Sequence, residues 1–341
     1  MHRPPEPEGS SPALPDLSPY DPNDHYQQYV PQPLPPPHGK LWVQLLLFAL
    51  TLGTTTLVGA ENYAFFTLEY SQIAALLKSD LLENAIRERY SYANGLWYSL
   101  TILGILGCHE MGHYLACLYY RIIATRPYFL PLPPSGFTMT GTLGAFIRVR
   151  SRFPDRIALF DVGVAGPIAG FVIAVPTLFA GIAMSRVELI PPDMPATIWL
   201  GEPLLFKLAQ FLVLGPIPDG YTVTMHPMAF GAWFGLLATA LNLFPIAQLD
   251  GGHISYAVFG RRSVKITYAT IAVAIGLTIF SMSWLVWTAL MLLMLKMIGP
   301  HHPPTLDDDV PLGRGRLMVA LAALVIFVIC FTPAPISFVD L

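Results

Sequence analysis

Residues 109–113 read His109-Glu110-Met111-Gly112-His113. On a helix, positions i and i+4 share a face. His109 and His113 can therefore turn an imidazole nitrogen each toward one metal ion. Glu110 stands one step round and reaches a water on that ion. A divalent metal lowers the pKa of such a water from ~15.7 to about 7, and a nearby carboxylate then takes its proton. Hydrolytic zinc sites use this spacing for that reason. Alone the pentapeptide is only moderately specific, and the competing reading is a set of polar groups that tie helices together. Its setting weighs against that reading. The stretch 96–120 is otherwise apolar, and an unpaired ionisable side chain there costs ~3 kcal/mol or more.

A catalytic zinc usually takes three protein ligands and leaves one position open. The third is expected from Asn242-Leu243-Phe244-Pro245-Ile246-Ala247-Gln248-Leu249-Asp250-Gly251-Gly252-His253. Pro245 breaks or kinks a helix, and the two glycines permit a sharp turn. Asp250 is then a carboxylate in an apolar stretch with irregular backbone around it. His113 precedes Arg121 by eight residues, and Asp250 precedes Arg261 by eleven. At about 1.5 Å per helical residue both lie ~12–17 Å inside the same boundary. His109, His113 and Asp250 are the expected ligands of one Zn2+ per chain, with Glu110 as the base. A helix-end cap is the competing role for Asp250. Asn242, a little over two turns earlier, can donate to a substrate carbonyl or developing oxyanion; helix packing is its rival. His253 is read as an interfacial histidine or a neighbour of the ligands. His226, the pair His301-His302 and Asp307-Asp308-Asp309 read as span edges and a solvated loop.

The elements that position these residues follow from composition. The 341 residues are 54% hydrophobic and only 12% charged, against about 25% charged in soluble chains. This is the profile of a polytopic membrane protein. Its formal net charge of −3 gives no footprint for nucleic acid. Seven apolar stretches are long enough to cross or nearly cross a bilayer: 41–59, 96–120, 157–184, 228–249, 264–281, 283–298 and 317–331. The fifth and sixth are closely linked. With the N-terminus in the cytosol, fourteen Lys and Arg fall on that side and five on the other, which sets the orientation. The expected fold is all-α and polytopic, with six to seven transmembrane helices, a broken helix at the site and a β-hairpin that enters the membrane. The hairpin is placed at 138–149, where Gly141, Thr142, Leu143 and Gly144 favour strand and turn over helix. An interfacial helix is expected at 202–213. Residues 1–40 lack the apolar core of a signal peptide and read as a disordered Pro-rich tail. Residues 41–334 form the membrane domain, with its core at 96–257. Cys108, Cys117 and Cys330 are expected as packing residues rather than disulfides.

The pairing of His109-Glu110-x-x-His113 in one span with Asn242-x-x-Pro245-x-x-x-Leu249-Asp250-Gly251 in another resembles the site-2 protease family of intramembrane zinc metalloproteases. Residues 141–150 resemble that family's membrane-entering hairpin, and Phe160-Asp161-Val162-Gly163-Val164-Ala165-Gly166-Pro167 resembles its next span. The resemblance runs over about 96–257 and is of a compact type, without a PDZ or CBS domain. It implies a peptidase that cuts transmembrane segments of other membrane proteins, unwound near the zinc. The hairpin residues 141–144 are expected to pair with the substrate as an added strand. The expected setting is a bacterial plasma membrane with the site toward the cytosol. A metal transporter or sensor, or an inactive binder of transmembrane helices, are the alternatives. A transporter would want polar residues along the last spans, where few occur.

Overall fold

A computed structural model describes residues 39–79, 81–133, 139–191, 197–246, 248–300 and 302–339. The tail expected at 1–40 lies outside these residues except for Gly39 and Lys40. In chain order the elements are α1 (Leu41–Thr67), α2 (Tyr70–Lys78), α3 (Leu82–Arg89), α4 (Tyr92–Tyr119), β1 (Tyr128–Pro131), β2 (Thr142–Phe146) and α5 (Arg156–Ala183). There follow β3 (Arg186–Leu189), β4 (Thr197–Leu200), α6 (Leu204–Leu214), β5 (Tyr221–Thr224), α7 (Pro227–Asn242) and α8 (Asp250–Phe259). The chain continues with α9 (Ser263–Leu277), α10 (Ser283–Ile298), α11 (Arg314–Cys330) and β6 (Ile336–Val339).

The molecule is mostly helical, and every apolar stretch singled out in the sequence carries a helix. Two of these helices, α1 and α5, are long and apolar enough to cross a membrane by length and composition. The central helices are started by side chains that satisfy their free N–H groups. Ser91 accepts from Asn94 N ahead of α4, and Asp155 accepts from Ala158 N at 2.7 Å ahead of α5. His226, buried rather than loose at a span edge, accepts from Met228 N ahead of α7, with Pro227 at the first helical position. Helices α4, α5 and α7 pack around Tyr98, Ile102, Ile105, Leu178, Trp233 and Leu236, all of them buried.

The fourth apolar stretch carries the break expected at Pro245: α7 ends at Asn242 and α8 begins at Asp250. The structure corrects the expectation in two places. Residues 138–149 are not a hairpin by themselves. They supply one strand, β2, which pairs antiparallel with β1 from the preceding apolar piece, Tyr128 facing Phe146 and Leu130 facing Gly144. The fold is not all-α apart from that pair, because β3 pairs with β5 and β4 with β6. Arg-Val-Glu-Leu and Tyr-Thr-Val-Thr alternate with period two and are rich in β-branched or aromatic residues, which suits short strands. The polar interval after α1 holds two short helices, α2 and α3, the first with a capping box of Glu69 and Gln72.

Candidate metal centre

Helix α4 delivers both histidines to one face, as the i, i+4 spacing requires. His109 Nε2 and His113 Nε2 lie 3.1 Å apart. Asp250, the first residue of α8, places Oδ2 at 3.1 Å from His109 Nε2 and Oδ1 at 3.2 Å from His113 Nε2. It is an acidic residue in the first turn of α8, but the N-cap is Leu249 and no side chain caps the helix. His109, His113 and Glu110 are buried, and the Asp250 side chain is 14% exposed.

The break between α7 and α8 brings Asp250 there. The chain leaves α7 through short turns at Phe244 and Leu249, which donate to Leu241 O and Ile246 O, and through Pro245, whose carbonyl accepts from Thr267 Oγ1 at 3.2 Å. A Cβ on Gly251 would stand 2.0 Å from Leu243 O, so no larger residue fits where the chain doubles back. Asn242, the last residue of α7, places its amide nitrogen 3.2 Å from His109 Nε2.

Helix α5 closes the other side, and sequence reasoning missed how. Val162 carbonyl oxygen lies 2.7 Å from His113 Nδ1. A carbonyl can only accept, so Nδ1 carries a hydrogen, and in the neutral imidazole that leaves Nε2 with its lone pair for a metal. A Cβ on Gly166 would sit 2.1 Å from His113 Nε2, and one on Gly170 would sit 3.1 Å from His109 Cβ. The signal was present as glycines at 163, 166 and 170, three and four apart and so on one helix face.

The donor set fits a zinc ion. Two imidazole nitrogens and a carboxylate converge, and all ligand atoms lie within 4.8 Å of one another. Their 3.1–3.2 Å separations approach the ~3.3 Å edge of a tetrahedron with 2.0–2.1 Å metal–ligand bonds. The Glu110 carboxylate accepts from the backbone of Ile147, just beyond β2.

The predicted hairpin residues stand apart from the ligands. Gly141, at φ 68°, packs on α1, where its carbonyl accepts from Thr54 Oγ1 at 2.7 Å. Thr142 is buried and donates to Leu130 O at 2.9 Å. Leu143 is 68% exposed, and Gly144, at φ 103°, faces open space. Among the described residues, strand β2 is paired on one edge only. The expectation of a solvated loop is overturned for His302, which is buried and lies 2.7 Å from His253; His301 lies outside the described residues.

Residues 97–283 match the family model of Peptidase family M50, more than half of the chain. The chain belongs to this family, that of the site-2 proteases. The probable zinc metalloprotease EGY2, chloroplastic, of Arabidopsis thaliana is 30% identical over 268 residues, 77% of this chain and 46% of the relative. The probable zinc metalloprotease EGY1, chloroplastic, of the same plant is 27% identical over 302 residues, 86% of this chain and 54% of the relative. A rice protein of the same EGY1 description (Oryza sativa subsp. japonica) is 27% identical over 241 residues, 68% of this chain and 39% of the relative. The chain thus spans about half the length of the first two of these M50 relatives. No solved structure matches it.

Proposed function

We propose that the chain is a zinc-dependent endopeptidase that hydrolyses peptide bonds within or beside transmembrane segments of other membrane proteins. The observation that carries this reading is the convergence of His109, His113 and Asp250 at 3.1–3.2 Å in a buried interior, with Glu110 on the same helix. The three would hold one zinc, which supplies Lewis acidity toward the scissile carbonyl and water. Glu110 takes the proton of the attacking water and hands it to the leaving amine. Asn242 donates its amide hydrogen toward the carbonyl oxygen as negative charge develops there. Val162 keeps His113 in the tautomer that leaves Nε2 free.

A peptide bond inside a helix is shielded by its own hydrogen bonds, so the substrate must unwind. The free edge of β2 offers replacement backbone partners. Its Ile147 end touches Glu110, so a strand added at residues 141–144 runs toward the base. In this reading seven helices (α1, α4, α5, the α7–α8 pair, α9, α10 and α11) occupy the bilayer and the β1–β2 pair enters it. The site then lies toward the Arg-rich side, taken as the cytosol by the Lys and Arg bias; the bacterial setting rests on the compact layout alone. The relatives carry chloroplastic names, which bear on those proteins.

The test pairs zinc content with cleavage of a transmembrane reporter in detergent or vesicles. Glu110→Gln keeps zinc and loses cleavage; His109→Ala and Asp250→Ala lose both. Continued cleavage by Glu110→Gln overturns the mechanism. Zinc retained in Asp250→Ala removes the third ligand from the reading.

A further inference from the structure

Helix α8 stands between two breaks. The turn at 243–249 precedes it, and Gly260 at φ 59° followed by a 3-10 turn, Gly260–Arg262, ends it. Continuous helix therefore does not set the direction in which Asp250 points. Helix α8 packs on Leu159, Phe160 and Val164 of α5, and the segment after α10 adds polar contacts to it. His253 Nδ1 lies 2.7 Å from His302 Nε2. The Tyr256 ring stacks on His302 with centroids 4.6 Å apart, and its hydroxyl donates to Asp308 Oδ2 at 2.7 Å. Thr305 Oγ1 donates to Asp308 Oδ1 at 2.6 Å. Arg156, at the start of α5, donates from Nε to Ala257 O at 2.9 Å and from Nη1 to Asp308 O at 3.3 Å. The same segment is fastened by backbone to the residues ahead of α5: Leu306 N donates to Phe153 O at 3.0 Å and Asp307 N to Pro154 O at 2.9 Å.

Chemistry fixes the hydrogens of the histidine pair. His302 Nδ1 lies 2.7 Å from Pro303 O, which can only accept, so His302 donates there. Burial holds the His302 imidazole below its ordinary pKa and so neutral at pH 7. Its Nε2 is then an acceptor, and His253 must donate from Nδ1. The 2.7 Å separation suits this hydrogen bond and is shorter than the ~3.3 Å between two ligand atoms of a tetrahedral zinc. The pair is a directed structural link rather than a second metal site.

We infer that the strap 302–308 positions the third ligand: His302 and Asp308 hold α8 at the angle that sets Asp250 against His109 and His113. This rests on the zinc reading of those three residues. Neither strap residue touches the cluster, so both act through α8. Partner groups outside the ligands typically govern 10–100-fold in metal affinity, and the strap sits one step further out.

The experiment measures zinc affinity by chelator competition, alongside the thermal midpoint, on the full chain in detergent. The variants are His302→Ala, Asp308→Ala, His302→Gln and, as a control at the opposite end of α5, Arg186→Ala. The two strap alanines are expected to weaken zinc binding on the order of tenfold. His302→Gln, whose amide oxygen can still accept from His253, recovers most of the loss. Arg186→Ala lowers the midpoint and leaves affinity at the wild-type value. Unchanged affinity in the strap alanines overturns the inference. So does affinity that falls with the midpoint in every variant, the control included. If His302→Ala does not fold, Asp308→Ala decides, since it leaves the histidine pair in place. A wild type without zinc overturns the zinc reading and the strap together; a zinc-loaded wild type with unaffected strap variants overturns the strap alone.

Discussion

Helices α4 and α5 meet in the opposite way from α9 and α10. Along the first seam backbones approach until side chains must vanish: a Cβ on Gly166 would meet His113 Nε2 at 2.1 Å, and Gly112 approaches α5 so closely that its Cβ would meet Ala165 O at 2.5 Å. The α9–α10 pair turns large apolar side chains outward, with Val273 59%, Val286 68% and Met297 76% exposed. It is fastened to the rest through Ile271, Ala274, Trp284 and Met291 around Phe244 and Ile246. The first seam encloses polar groups, and each ångström of spacing changes how they meet. The second is crossed by a hydrogen bond from Thr288 Oγ1 to Ala274 O at 3.1 Å and holds no charged cluster among the described residues, and its outward face suits lipid tails, which are as apolar as leucine. In water a face of that kind would mark a docking surface or an aggregation hazard.

The contrast can be broken from either side. Gly166→Ala is expected to have the largest effect. Its methyl group displaces His113, zinc content falls, and reporter cleavage drops on the order of 100-fold, the cost of a misplacement near 1 Å. Gly251→Ala comes next, because a methyl 2.0 Å from Leu243 O shifts the start of α8. Zinc affinity, measured by chelator competition, should fall about 10–100-fold while the α4 histidines stay in place. Trp284→Ala tests the other seam. It should cost ~3–5 kcal/mol of unfolding free energy in detergent yet leave zinc content at the wild-type level. The smallest effect is expected from Leu290→Ala, on a half-exposed position of α10, at within ~0.5 kcal/mol. A Gly166→Ala protein with full zinc content, or a Leu290→Ala protein that fails to fold, would erase the distinction.

What was legible in the sequence follows the same line. His109 and His113 are four residues apart, so local geometry alone puts them together. Asp250 was found by comparing depths, and Pro245 with two glycines marked the irregular backbone that brings it in. The helices were legible because an apolar run leaves few other folds. The partners of the site were harder. Val162 acts through its carbonyl, which no side-chain pattern reveals. Gly166 and Gly170 matter for what they lack, and small residues are common in membrane helices for ordinary packing. His302 stands in a proline-rich polar stretch, and only the long-range pairing of 306–307 with 153–154 makes it part of the interior. The strands β3 to β6 are four residues each, too short for their alternation to stand out from chance.

The chain is made from its N-terminus, and domains form as they emerge, at about 5–20 residues per second. His109 and His113 leave the ribosome early, while α5, the α7–α8 break and the 302–308 segment are still unmade. For seconds the growing protein holds two histidines and a glutamate with nothing opposite them. The three groups can meet only after Asp250 has arrived, and α8 gains its Asp308 and His302 contacts later still. A chain interrupted between residues 113 and 250 carries the two histidines and the glutamate but not Asp250. On the zinc reading, the order of these residues along the gene would keep an unfinished peptidase inert.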